Sequence, residues 1–114
     1  MWSTSTDKGE PTHPFPIQQL QVCAWRIKYY LELPGPLSAE GWQALRRHWP
    51  GSQLESVPLA NGEILYRLSL PERKGVLSGS SAARGIYAVL ARPEAQKLLT
   101  EVVSALASQA GASL

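Results

Sequence analysis

The stretch that decides the fold is Gln19–Leu33, QLQVCAWRIKYYLEL, the longest run rich in β-branched and aromatic residues in the 114-residue chain. Successive residues of a β-strand point to opposite faces of a sheet. The even positions are mostly polar, whereas the odd positions hold Cys23, Trp25, Ile27, Tyr29, Leu31 and Leu33. This alternation predicts one central strand with its odd face buried and its even face open to solvent.

Length and composition limit the class of protein. With 44% hydrophobic residues and 114 residues in total, the chain can form one domain with a core. A net charge of +2 is too small to require a polyanionic partner. The start of the chain lacks the apolar segment of a signal peptide, and no apolar run approaches the ~20 residues that cross a bilayer. We therefore expect a soluble, cytoplasmic protein without membrane insertion.

The chain divides into three regions by composition. Residues 1–16 mix Ser, Thr, Gly and Pro with scattered apolar groups, so they cannot offset the entropy of ordering and are predicted to be a disordered tail. Residues 17–108 form a single α+β domain in this interpretation. Residues 109–114 are predicted to fray.

The segments after the first strand give a helix and a hairpin. Ser38 is a suitable N-cap for a helix over Ala39–Trp49, whose apolar stripe is Trp42, Leu45 and Trp49. Strands are predicted over 53–59 and 63–70. Asn61-Gly62 between them predicts a type I′ turn, because both residue types tolerate a positive φ.

The last third of the chain predicts a loop, a strand and a helix. Residues 71–84, PERKGVLSGSSAAR, are rich in Gly and Ser and are predicted to be a long loop. Residues 85–91, GIYAVLA, predict a buried strand. Residues 93–107 predict an amphipathic helix with Leu98, Val102 and Leu106 on its apolar stripe.

Together these elements predict the fold class. The order β-α-β-β-β-α favours an α+β two-layer sandwich, with a four-stranded, mostly antiparallel sheet and both helices on one face. The large apolar residues of the helices, together with Trp25 and Ile27, are expected to dominate the core.

No residue pattern indicates an enzyme, a metal site or a cofactor. Of the two histidines, His13 lies in the predicted tail and only His48 lies on a regular element. Cys23, the only cysteine, is expected in the core, where burial would raise its pKa. The acidic residues are spread over different elements. We therefore expect a non-enzymatic protein.

The even face of the first strand is the candidate interaction surface. Arg26, Lys28 and Tyr30 are expected beside Leu65 and Arg67 of a later strand, with Tyr87 or Val89 in the same patch. Aromatic anchors with a basic rim are typical of protein interfaces, which favours a protein-binding or complex-assembly module. The alternative is binding of RNA or single-stranded nucleic acid through the same residues.

A second candidate site lies in the predicted loop. Arg73 and Lys74, with Arg84, are candidates for an anion-binding loop, because glycines and serines can turn backbone N–H groups toward an anion. The P-loop pattern is absent, and a plain flexible connection is the alternative. The sequence leaves the partner and the oligomeric state open.

Overall fold

The computed structural model describes residues 15–113. Their elements are β1 (Ile17–Val22), β2 (Arg26–Glu32), α1 (Ala39–His48), β3 (Gln53–Pro58), β4 (Ile64–Ser69), β5 (Gly75–Ser80), β6 (Gly85–Ala91) and α2 (Ala95–Ser113). A 3-10 turn over Pro71–Arg73 leads into β5. Most of the tail prediction lies outside the described residues, but Phe15, at its end, is buried in the core.

The strands form one six-stranded sheet in the order β1-β2-β6-β5-β4-β3, and every neighbouring pair is antiparallel. The prediction of an α+β fold from four strands in the order β-α-β-β-β-α is therefore wrong in its strand count and order. The β5–β6 hairpin lies between the β1–β2 hairpin and the β3–β4 hairpin. The two outer hairpins therefore do not pair with each other. β2 pairs with β6, and β4 pairs with β5.

The first correction concerns Gln19–Leu33, which is the body of a hairpin and not one central strand. The chain turns at residues 23–25, where the Cys23 N–H donates to the Arg26 carbonyl at 2.9 Å. Distant groups hold this turn, because Arg92 donates from its side chain to the Cys23 carbonyl and from its backbone to the Trp25 carbonyl. Neither Gly, Pro nor Asn marks the turn in the sequence, so the alternation runs through it without a break.

The odd face of this stretch is buried only after the turn. Tyr29, Leu31 and Leu33 are in the core, as predicted, and Ile27 packs against it. Trp25 is 77% exposed and Cys23 is exposed as well, so their predicted core positions are wrong.

The second correction concerns residues 71–84, where β5 replaces most of the predicted loop. Small residues are required here by packing and not by flexibility. A Cβ on Gly79 would lie 3.3 Å from the ring of Trp42 and 3.2 Å from the Gly85 carbonyl oxygen. A Cβ on Gly75 would overlap the Val89 carbonyl oxygen. The glycines of this segment therefore let α1 and the neighbouring strand approach closely.

The β3–β4 hairpin is confirmed, but its turn is not of type I′. Only Gly62 has a positive φ, of 89°, whereas type I′ requires two such residues. The Gly62 N–H donates to the Leu59 carbonyl, and the Asn61 side-chain oxygen accepts from the Glu63 N–H at 3.0 Å. Asn61 thus stabilises the turn through its side chain and not through a left-handed backbone.

Both helices bury their apolar stripes on the same side of the sheet. As predicted, Ser38 caps α1, and its hydroxyl accepts from the Gly41 N–H at 3.0 Å. The Trp42 ring stacks on Tyr66 of β4 with centroids 5.6 Å apart. Trp49 after α1 donates to Glu101 of α2 at 3.3 Å, which ties the two helices together. The core cluster joins this sheet face to the α2 residues Leu98, Leu99, Val102, Val103, Ala105 and Leu106.

Candidate functional site: the open face of the sheet

The side of the sheet that faces away from α1 and α2 is called the open face. Strand alternation and the pairing register assign residues to it. They are Gln18 and Gln21 of β1, Arg26, Lys28, Tyr30 and Glu32 of β2, Tyr87 and Val89 of β6, Val76, Ser78 and Ser80 of β5, Leu65, Arg67 and Ser69 of β4, and Gln53, Glu55 and Val57 of β3. Their side chains are half-buried or exposed, so no other described element covers this face.

Two tyrosines form the centre of the β2 side of the open face. Tyr30 and Tyr87 are directly opposite each other across the β2–β6 ladder, with ring centroids 5.1 Å apart and planes tilted by 53°. The Lys28 ammonium lies 5.0 Å from the Tyr87 ring centroid, within the range of a cation–π contact. Tyr87 remains 41% exposed. The group therefore presents an ordered aromatic surface to solvent with a cation at its border.

Tyr30 is positioned by a glycine on the neighbouring strand. The Tyr30 ring occupies the space where a Cβ of Gly85 would be. Covering a strand glycine with an aromatic ring from the next strand stabilises the pair, and it fixes the rotamer of the ring. Gly85 thus helps to orient Tyr30 toward Tyr87.

The predicted partner-binding residues lie on one face but in two groups. Arg26, Lys28 and Tyr30 are on β2, whereas Leu65 and Arg67 are on β4. The strands β6 and β5 separate the groups, so Tyr30 and Arg67 are about 14 Å apart at ~4.8 Å per strand. Arg67 lies between Ser78 of β5 and Glu55 of β3.

The middle of the open face contains residues that the sequence-based site lacked. Val76 and Ser78 are on β5, and Val76 is paired with Val89 of β6. The sequence signal for them was the alternation of Val76, Ser78 and Ser80 with Gly75, Leu77 and Gly79. The high content of Gly and Ser masked that alternation. Because β5 is part of the sheet, the side chains of Tyr87, Val89 and Val76 form an apolar strip. This strip separates the basic residues of β2 from Arg67 of β4.

The three residues of the candidate anion-binding loop are not brought together. Arg73 and Lys74 precede β5 and Arg84 follows it. The six residues of β5 place them about 20 Å apart. Lys74 also lies 3.6 Å from the Glu72 carboxylate, an exposed pair. Arg73 and Lys74 are therefore too far from Arg84 for the three side chains to bind one anion together.

Groups with chemical reactivity are few in the described residues. Hydrogen bonds from the backbone N–H groups of Trp25 and Arg26 lower the pKa of the Cys23 thiol, aided by the positive charges of Arg26 and Arg92. The ring of His48 contacts Trp49 edge-on at 4.5 Å. Within residues 15–113, no three His, Cys, Asp or Glu side chains are grouped so that they could hold a metal ion. No helix in the same range is long and apolar enough to cross a membrane.

Comparison with known proteins gives no match for the chain, whether with family models, curated proteins or solved structures. The fold and the open face therefore carry the functional argument alone.

Proposed function

We propose that the chain is a non-enzymatic binding module that captures a protein partner on its open face and so contributes to the assembly of a complex. The observation that carries this proposal is the Tyr30–Tyr87 pair with Lys28 beside it on the uncovered sheet face, where Tyr30 is half-buried and Tyr87 is exposed. An ordered tyrosine pair supplies a large contact area at a low cost in conformational entropy.

The layout of the open face supports a protein interface. Tyr87 and Val89 on β6, with Val76 on β5, form an apolar strip on the two central strands. Charged side chains lie on the flanking strands, on β2 to one side and on β4 and β3 to the other. Protein interfaces have this arrangement of a desolvated centre and a polar rim. The matching partner surface has an apolar centre bordered by carboxylates that face Arg26, Lys28 and Arg67.

Binding of RNA or single-stranded nucleic acid is the second candidate. The tyrosine pair beside Lys28 favours it, because bases stack on aromatic rings while cations attract phosphates. Against it, Glu32 and Glu55 share the open face with the three cations, which leaves little net positive charge. The balance of charges therefore favours a protein partner.

The test is affinity purification with the tagged chain, in which the captured proteins are identified before and after nuclease treatment. Wild type is compared with Tyr87→Ala. Tyr87 is the better target than Tyr30, because Tyr30 also covers Gly85. We expect the same proteins to be captured after nuclease, and Tyr87→Ala to lose them while its circular dichroism spectrum stays unchanged. Gln43→Ala, on the exposed side of α1, is the matched control and should retain them.

Salt dependence separates the two candidates. Counterion release makes nucleic-acid binding fall steeply between low and moderate salt, whereas an interface centred on tyrosines changes little. Loss of every captured protein on nuclease treatment, or equal capture by Tyr87→Ala and wild type, would refute the protein-binding proposal.

A further inference from the structure

The two edges of the sheet differ in how they resist pairing with another strand. On the β3 edge, Glu55 is a charged side chain and Pro58 ends the strand, and both features oppose the addition of a further strand. The β1 edge has no charged residue from Pro16 to Trp25. Three exposed large apolar side chains, Leu20, Val22 and Trp25, also lie on β1 or on the turn after it. No other described strand pairs with the outer side of β1.

The backbone at both ends of β1 points outward. The Glu32 N–H donates to the Pro16 carbonyl at 3.0 Å, and the Cys23 N–H donates to the Arg26 carbonyl at 2.9 Å. In an antiparallel ladder, positions next to such a bonded pair direct their own N–H and C=O groups away from the partner strand. Ile17 and Val22 are the neighbours of these pairs, so their backbone groups are free for a strand on the other side.

A bulge in β1 gives the two ends of the strand the same pattern of faces. The register shifts between Gln19 and Gln21, so Leu20 is the extra residue. As a result, Ile17 and Val22 share the helix side of the sheet, whereas Gln18 and Gln21 share the open face. In the sequence Ile17-Gln18-Gln19-Leu20-Gln21-Val22, the two outer pairs about the midpoint match in residue type, Ile17 with Val22 and Gln18 with Gln21. A bulge usually discourages edge pairing, but here it places Ile17 and Val22 on one face and Gln18 and Gln21 on the other, so the two ends of the strand can pair with each other across a two-fold axis.

We propose that two copies of the chain pair through β1, antiparallel and about a two-fold axis, and thereby join two six-stranded sheets into one continuous sheet. An isologous contact needs a surface that complements itself. In this pairing Ile17 lies beside the partner's Val22 on the helix side, and Gln18 lies beside the partner's Gln21 on the open face. The first contact covers exposed apolar surface, and the second pairs two amides that can hydrogen-bond to each other.

The dimer is formed by the β1 edge and not by the proposed partner-binding residues, so the self-association of the purified chain tests it without any partner. It also sets the two open faces side by side. Tyr30 and the partner's Tyr30 would lie on strands three spacings apart, about 14 Å, and two residues apart along the strand direction. Two partner sites would then lie on the same side of the joined sheet.

Charge substitutions at Gln18 and Gln21 test the pairing by sedimentation velocity and native mass spectrometry. Both side chains are exposed, so the fold tolerates a charge there. The wild type should form dimers of the 12.5 kDa chain. Q18E/Q21E places like charges beside each other twice across the axis and should raise the dimer dissociation constant about tenfold or more.

A second variant, Q18K/Q21E, tests whether opposite charges at the same two positions restore the dimer. In Q18K/Q21E each lysine lies beside the partner's glutamate, so dimerisation should return to near the wild-type level. The matched control Gln53→Glu/Val57→Glu puts the same charges on the β3 edge and should leave the dimer unchanged. A monomeric wild type at about 100 µM, where even weak complexes assemble, overturns the proposal. So does a dimer that Q18E/Q21E leaves intact, or one that Q18K/Q21E fails to restore.

Discussion

The phenol ring of Tyr30 lies over Gly85 so closely that no Cβ fits between the two residues. Gly85→Ala should therefore displace the ring and break its contact with Tyr87, with a loss of about 1 kcal/mol in the free energy of unfolding. Urea denaturation measures the loss, and nuclear Overhauser contacts between the two rings report the displacement. Gly35→Ala is the control, because a Cβ at Gly35 meets nothing within 4 Å. Unchanged ring contacts in Gly85→Ala would contradict the packing described.

Gly79 tests whether β5 is packed as a strand beneath α1. A methyl group there presses on the Trp42 ring and on the Gly85 carbonyl, and the latter cannot move without shifting the sheet. Gly79→Ala should lower the free energy of unfolding by about 1–3 kcal/mol. Ser78→Ala, one residue earlier and on the opposite face, should change it by less than about 0.5 kcal/mol. Equal effects of the two substitutions in urea denaturation would mean that this segment does not pack against α1.

Tyr29 carries a buried hydroxyl without a hydrogen-bond partner in the described structure. Tyr29→Phe removes this unsatisfied group while keeping the ring, so the free energy of unfolding at neutral pH should rise by about 1 kcal/mol. Tyr87→Phe, whose hydroxyl is on the exposed face, should have little effect. A less stable Tyr29→Phe would show that the hydroxyl does have a partner.

The same residue predicts a dependence of stability on alkaline pH. Burial raises the pKa of Tyr29 above its ordinary value of 10.0. The unfolded chain then loses this proton at a lower pH than the folded chain, so the folded state binds more protons and stability falls as the pH rises through 10.0. Stability measured from pH 8 to about 11 should fall more steeply in wild type than in Tyr29→Phe. If the free energy of unfolding falls equally with pH in wild type and in Tyr29→Phe, the pKa of Tyr29 is not raised in the folded state.

Cys23 should be more reactive than an ordinary thiol. Backbone N–H groups of Trp25 and Arg26 lower its pKa below 9.0, and the thiolate is the reactive form. The rate of alkylation by iodoacetamide should therefore reach its half-maximal value at a lower pH in the folded protein than in urea. If both states give the same midpoint, the turn at residues 23–25 does not hold the sulfur as described.

The sequence predicts correctly those helices and turns that depend only on residues close together in the chain. Ser38 and the stripe of Trp42, Leu45 and Trp49 are sufficient to predict α1, and the break around Asn61-Gly62 predicts a hairpin. The even face of β2 was likewise predicted from alternation, and it does face away from the helices. The functional role of that face stays a prediction.

The missed features depend on groups that are distant in sequence. The turn at residues 23–25 is held by Arg92, and alternation alone cannot reveal such a contact. Two positions in β5 require glycine because Trp42 lies against Gly79 and Val89 lies against Gly75. A segment rich in Gly and Ser is, however, also typical of a loop. Trp25 followed the apolar alternation but lies on the turn, where its ring is exposed.

The placement of β5 and β6 between the two outer hairpins has a consequence for synthesis on the ribosome. The chain emerges from its N-terminus, so β1–β2 and β3–β4 are complete before the strands that connect them exist. Contacts between residues so far apart in sequence form slowly. Until residues 75–91 leave the exit tunnel, the edges of β2 and β4 that pair with β6 and β5 have no strand to bind, and an isolated hairpin is only marginally stable.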